Sequence, residues 1–297
     1  MNKPYLHHEI DYKKIILDYL VVLIPLIIYG LYKNGVVLYK EGYISLIKVI
    51  YPVLYPLLGG LIGYFINYIF TKKKELNYNM LYGIIIGMTV SFNLNIFIFI
   101  IILSLILGAC QLFEIKFDFN KMCLIRLLTV IALLVLNKYS YANPLELSDK
   151  YSYSYFDVLF GRGVSGICIS NTFISILAYI YLSFNNFYKK DIPLMIIATY
   201  TICGLIYFAI SNEYKPLLNE LTTGTLVFAS VFIATDSINS PYKKYSKILY
   251  SVLIGLLSFL FTRLINSHEG IYLAILLVSF IINFTKINVF NKIRQKN

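Results

Sequence analysis

MLYGIIIGMTVSFNLNIFIFIIILSLILGACQLF, residues 80–113, runs for 34 residues without a charged side chain. A membrane-crossing helix needs about 20 mostly apolar residues. The stretch is therefore too long for one helix, and Asn93 and Asn95 interrupt it. That interruption predicts a short span at 80–92 and a full one at 96–113.

Working outward, apolar runs predict further spans at about 15–32, 45–70, 122–137, 165–184, 191–211, 218–235, 246–266 and 271–289, ten in all. The composition agrees. Of 297 residues, 59% are hydrophobic and 14% charged, with a mean hydropathy of +0.72. Soluble domains carry about 25% charged residues, so a bilayer must be the solvent for much of this surface. Met1–Lys14 is polar and precedes a full-length span, unlike the short apolar core of a cleavable signal peptide. The expected fold is an all-α integral membrane protein, one polytopic domain over 1–297. Its first half covers 15–137, an outer polar segment 138–163, and its second half 164–289.

Charge placement tests the count. With the N-terminus inside, 17 cations fall in inside segments and six outside, with Lys48, Arg126 and Arg263 within spans. Cytoplasmic loops are enriched in Lys and Arg, so a multi-pass protein of the cell membrane with both termini cytoplasmic is expected. The net charge of +11 thus reports topology and implies no nucleic-acid partner. Cys110, Cys123, Cys168 and Cys203 form no CxxC pair and His is scarce. No metal site is expected, and the thiols read as small packing residues.

A second pattern concerns the two halves. Residues 80–95 and 221–241 each hold a half-length apolar piece ending in polar residues, MTVSFN and ATDSINSP. Each is third in its set of five spans, and five spans per half force the halves into opposite orientations. Inverted repeats with interrupted helices meeting near the midplane are a transporter architecture.

Ionisable residues within spans are costly and face a cavity or a partner. Arg126 could hold an anion such as phosphate, or snorkel to the inner surface. Thr235, Asp236, Ser237, Asn239 and Ser240 crowd the end of a span before Pro241, where they could bind a cation or a cofactor's polar edge or form an ordinary cap and turn. GRGVSGICISNT, 161–172, could cradle a phosphate or flavin edge through its N–H groups, but lacks the end of a P-loop.

Taken in order, GMTVSFN, LILGACQLFEIKFDFNKMCLIRLL, SYANPLEL, LFGRGVSG, FIATDSINSP and SHEGIYLAILL resemble one family of membrane proteins. Its members are the D subunit of the Rnf electron-transport complex and the B subunit of the sodium-translocating NADH:quinone reductase. The resemblance covers about residues 45–285. It implies a translocase component with ten helices in two inverted halves, carrying flavin, in a complex that couples electron flow to Na⁺ or H⁺ transport. The implied partners are the other membrane subunits of such a complex and the lipid bilayer. The family's flavin is esterified through its phosphate to a Thr that falls here on Asn143, in Ser140–Leu145. An amide cannot make that ester, so FMN or riboflavin is expected to be noncovalent if present. Pro-Ala after Asn120 is replaced by Lys121 and Met122, and the Pro after Asp236 by Ser237. The resemblance implies flavin-site roles for Asn143, Asn120, Arg126, Gly166, Thr235, Asp236 and Glu269. No catalytic side chain is assigned. A flavin-free scaffold or ion-path component of such a complex, and a stand-alone inverted-repeat solute transporter, are the alternatives.

Overall fold

The computed structural model describes residues 12–72, 75–91, 94–112, 120–136, 154–163, 165–211, 215–222, 224–236, 240–241, 243–265 and 269–294. Among these, every regular element is helical. Helix α1 (Tyr12–Leu31) continues through a π-helical turn (Tyr32–Val37) to Lys40. There follow α2 (Tyr51–Thr71), α3 (Tyr78–Thr89), α4 (Ile96–Leu112) and α5 (Lys121–Val135). The second half holds α6 (Thr172–Ser183), α7 (Asp191–Ser211) and α8 (Lys215–Thr222). It ends with α9 (Thr225–Phe228), prolonged by a π turn to Ile233, then α10 (Lys244–Ile265) and α11 (Gly270–Arg294). Four stretches are long and apolar enough to cross a membrane: Lys13–Lys40, Leu46–Thr71, Asp191–Ser211 and Lys244–Ile265. Shorter apolar helices accompany them, giving a multi-pass membrane protein.

Three helices begin at an asparagine. Asn77, Asn120 and Asn171 accept the N–H groups of Met80, Cys123 and Ile174 at 2.9, 3.0 and 2.8 Å. Each satisfies one of the four N–H groups a helix start leaves open. The caps explain why α3, α5 and α6 start where they do.

One local pattern occurs twice. A half-length helix, α3 or α9, ends in non-helical chain and is followed by a longer helix. In the first half, α2 and α3 cross through glycines. A Cβ on Gly83 would stand 1.9 Å from the Gly59 carbonyl oxygen, and one on Gly63 2.1 Å from that of Asn79. Small residues let backbones touch where no hydrophobic drive separates helix from lipid.

The span expected at 165–184 is shorter as a helix, starting only at Thr172. Residues before it pair with the end of α3: Ile167 N–H donates to Val90 O and Cys168 N–H to Met88 O, both at 3.0 Å. The span expected at 218–235 breaks at Gly224, whose φ of 84° suits glycine. Lys33, just past the span expected at 15–32 and so expected in a loop, lies in the π turn of α1 at 9% exposure. Its Nζ donates to Gly163 O at 2.7 Å, and Asn34 beside it donates to Ile167 O at 2.7 Å.

Candidate functional site

The buried polar residues converge on the end of α9. Asn120, the cap of α5, uses its amide twice: Oδ1 accepts from Cys123 N–H, and Nδ2 donates to Ile233 O at 2.8 Å. Its own N–H donates to Ser279 Oγ on α11 at 3.2 Å. One residue thus joins α5, α9 and α11. Tyr250 on α10 donates to Ala234 O at 3.2 Å.

Thr235 and Asp236 follow immediately. Thr235 Oγ1 donates to Val231 O, one turn back, and lies 3.3 Å from the Tyr19 hydroxyl on α1. Tyr82 on α3 donates to Asp236 Oδ2 at 3.2 Å. Tyr188 donates to Val231 O at 3.0 Å. Both Thr235 and Asp236 are buried. Four phenols from separate parts of the chain therefore surround the end of one interrupted helix. Lys189 closes this end: its buried Nζ donates to Ser240 O and Ser240 Oγ, both at 2.6 Å.

Two turns along α5, Arg126 is 1% exposed. Its Nη2 donates to Glu269 Oε1 at 2.7 Å, and its guanidinium lies 5.6 Å from the Tyr272 ring centroid. The residue does not snorkel; its anion in this arrangement is the Glu269 carboxylate at the start of α11. Asn120, Arg126, Thr235, Asp236 and Glu269 thus form one continuous buried region between α5, α9 and α11.

Gly166 lies elsewhere, packed backbone to backbone on the end of α3, where a Cβ would stand 2.8 Å from Thr89 O. Near it, the chain before α6 meets the start of α9: a Cβ on Gly224 would lie 2.4 Å from Ile169 O and 2.8 Å from Ser170 O. Two buried hydroxyls here, Ser170 Oγ and Thr225 Oγ1, meet no hydrogen-bond partner. Buried polar groups are nearly always paired, so these two have capacity to spare for a polar ligand. Asn143, with the whole of SYANPLEL, lies outside the described residues, as do Ser237 and Asn239.

Sequence reasoning missed Tyr19, Tyr82, Tyr188, Tyr250 and Ser279. Their only signal is a hydroxyl on an otherwise apolar helix face, and 28 tyrosines dilute it.

A sequence model described as the NQR2, RnfD, RnfE family matches residues 1–292. The chain is similar to the B subunit of the Na(+)-translocating NADH-quinone reductase of Chlamydia felis, 42% identical over 72 residues, covering 24% of this chain and 14% of that protein. It is also similar to the D subunit of the ion-translocating oxidoreductase complex of Marinobacter nauticus, 27% identical over 93 residues, covering 31% and 27%. The protein of the same name in Haemophilus influenzae is 24% identical over 144 residues, covering 47% and 40%. The aligned part spans less than half the length of each of these relatives.

Proposed function

The chain belongs to the NQR2, RnfD, RnfE family, and from that premise we propose that it is a membrane subunit of an Rnf- or Nqr-like complex. In this reading the complex couples electron transfer to Na⁺ or H⁺ translocation, and this chain holds flavin without a covalent bond. The observation that carries it is the family match over residues 1–292, which takes in both halves and every buried polar residue of the site.

The absence of a hydroxyl at Asn143 removes the ester and leaves noncovalent contacts to hold the group. Arg126 and Asn120 are engaged with Glu269 and Ile233, whereas the Ser170 and Thr225 hydroxyls have bonding capacity left. These two would hold a polar edge of the flavin. Bound there, the flavin would supply the electron-transfer chemistry, as cofactors generally do. The protein's part is to orient it and exclude water. The buried Asp236 and Glu269 would set the electrostatics along the coupled ion's route. Asn143 also favours a second reading, a protein that keeps the fold and the complex but carries no flavin.

The visible spectrum of the detergent-purified protein, repeated after SDS and gel filtration, separates the two. Flavin absorbance that leaves with the small molecules supports the first reading. Absorbance that stays with the chain means another residue forms a covalent bond. No absorbance favours the flavin-free protein. For the complex, Asp236→Ala and Glu269→Ala should each impair activity more than Lys150→Ala; equal and small effects would remove the site from the coupling route.

A further inference from the structure

Helices α7 and α10 run parallel and side by side. Lys247 meets Asp191 at 3.0 Å near their starts. Gly255 packs on Ile196 and Thr199 midway, and Arg263 lies over the Tyr207 ring at 4.9 Å near their ends. Parallel packing brings two helix N-termini to one face, each equivalent to about half a positive charge. The sequence adds more of the same sign. Segments 184–191 and 240–250 hold Lys189, Lys190, Lys243, Lys244 and Lys247 against one carboxylate, Asp191. Cations at a helix N-terminus oppose the helix dipole, so helix stability does not explain them.

The two segments form one surface. Buried Lys189 ties its loop to Ser240 through two hydrogen bonds of 2.6 Å, and Lys247 ties α10 to Asp191. Lys190, Lys243 and Lys244 are exposed, and no carboxylate pairs with them among the described residues. Beside them stand exposed apolar side chains: Phe184, Leu194, Tyr245 and Leu249. A strongly positive spot next to apolar surface, at the ends of membrane-crossing helices, matches an amphiphile with an anionic head.

We propose that this surface binds an anionic phospholipid. Lys190, Lys243 and Lys244 hold the phosphate, and the acyl chains lie along Phe184, Leu194, Tyr245 and Leu249. Basic pockets between membrane helices bind anionic headgroups in this way. Topology alone asks only that loops carry cations. It does not ask that two loops be locked together by a buried lysine so that their exposed lysines share one spot.

The test uses the full-length protein, purified in neutral detergent with any proteins that accompany it, and stripped of lipid. Thermal stability is followed while phosphatidylglycerol, phosphatidylcholine or inorganic phosphate is added. Phosphatidylglycerol should stabilise the protein and the other two should not. The triple variant K190Q/K243Q/K244Q, all at exposed positions, should need about tenfold more phosphatidylglycerol or worse for the same shift. K40Q/K48Q, exposed lysines outside these two segments, should match the wild type. An equal response of the triple variant overturns the proposal. An equal effect of inorganic phosphate makes this a free-anion site and overturns the lipid. No phosphatidylglycerol response, with loss of a co-purifying protein from the triple variant, assigns the patch to an acidic protein surface and overturns it as well.

Discussion

Gly83→Ala should damage both the packing and the site. A Cβ at Gly83 would stand 1.9 Å from Gly59 O and 2.5 Å from Gly59 C. A carbon tolerates a carbonyl oxygen at about 3.3 Å, so α2 and α3 must separate by roughly 1.4 Å. The obstacle is backbone, and no side chain can swing aside. Overpacking of this kind costs about 1–3 kcal/mol, occasionally more. Replacing a helical Gly by Ala returns about 1 kcal/mol of helix propensity. With backbone on both sides the clash belongs at the upper end of its range, leaving a net loss of about 2 kcal/mol. The preceding residue, Tyr82, donates to Asp236 at 3.2 Å, and a shift of α3 by that amount takes the hydroxyl out of hydrogen-bond reach. Stability is read as the monodisperse fraction after heating in detergent, by size exclusion. The control is Gly108→Ala, where nothing lies within 4 Å of the added carbon and the propensity gain stands alone. If Gly83→Ala is as stable as Gly108→Ala, the close crossing of α2 and α3 is wrong.

Arg126→Gln and Glu269→Gln should each cost about 3–5 kcal/mol, because each leaves a buried charge uncompensated. The double variant should cost much less than their sum in chemical denaturation; strict additivity would show that the pair does not act as one. Ser170→Ala and Thr225→Val should stabilise flavin-free protein by about 1 kcal/mol, since each removes a buried unpartnered hydroxyl. In loaded protein the same changes should speed flavin loss during gel filtration, and unchanged retention would place the flavin elsewhere. The Ser154 hydroxyl and N–H, followed by Arg162, hold the Asp157 carboxyl below its ordinary pKa. The resulting stabilisation is full above the ordinary carboxylate range and is lost as pH falls through the lowered value. Asp157→Asn should therefore quicken amide exchange in 154–163 at neutral pH, and the wild type should approach that rate only in acid; a pH-independent difference would refute the linkage.

The helical, multi-pass character of the chain was legible in runs such as 80–113, because a bilayer sets a length that a local stretch either reaches or does not. Asparagine caps are equally local, since a cap and the N–H it accepts lie three residues apart. Asn120 and Glu269 were pointed to only by the family resemblance, whereas Arg126 could be singled out as a costly charge within a span and Asp236 as part of a polar run at a span's end. Their partners could not, because those depend on which helices touch. Arg126 meets Glu269 across 143 positions, and Asp236 meets Tyr82 across 154. Lys33 and Lys189 show the same limit from the other side. By sequence both belong to loops, and only the packing buries them, each against backbone carbonyls more than fifty positions away. Apolar length is a property of a segment, and the sequence alone determined it. The pairing of buried charge and hydroxyl belongs to the assembled bundle, and only the tertiary structure decided it.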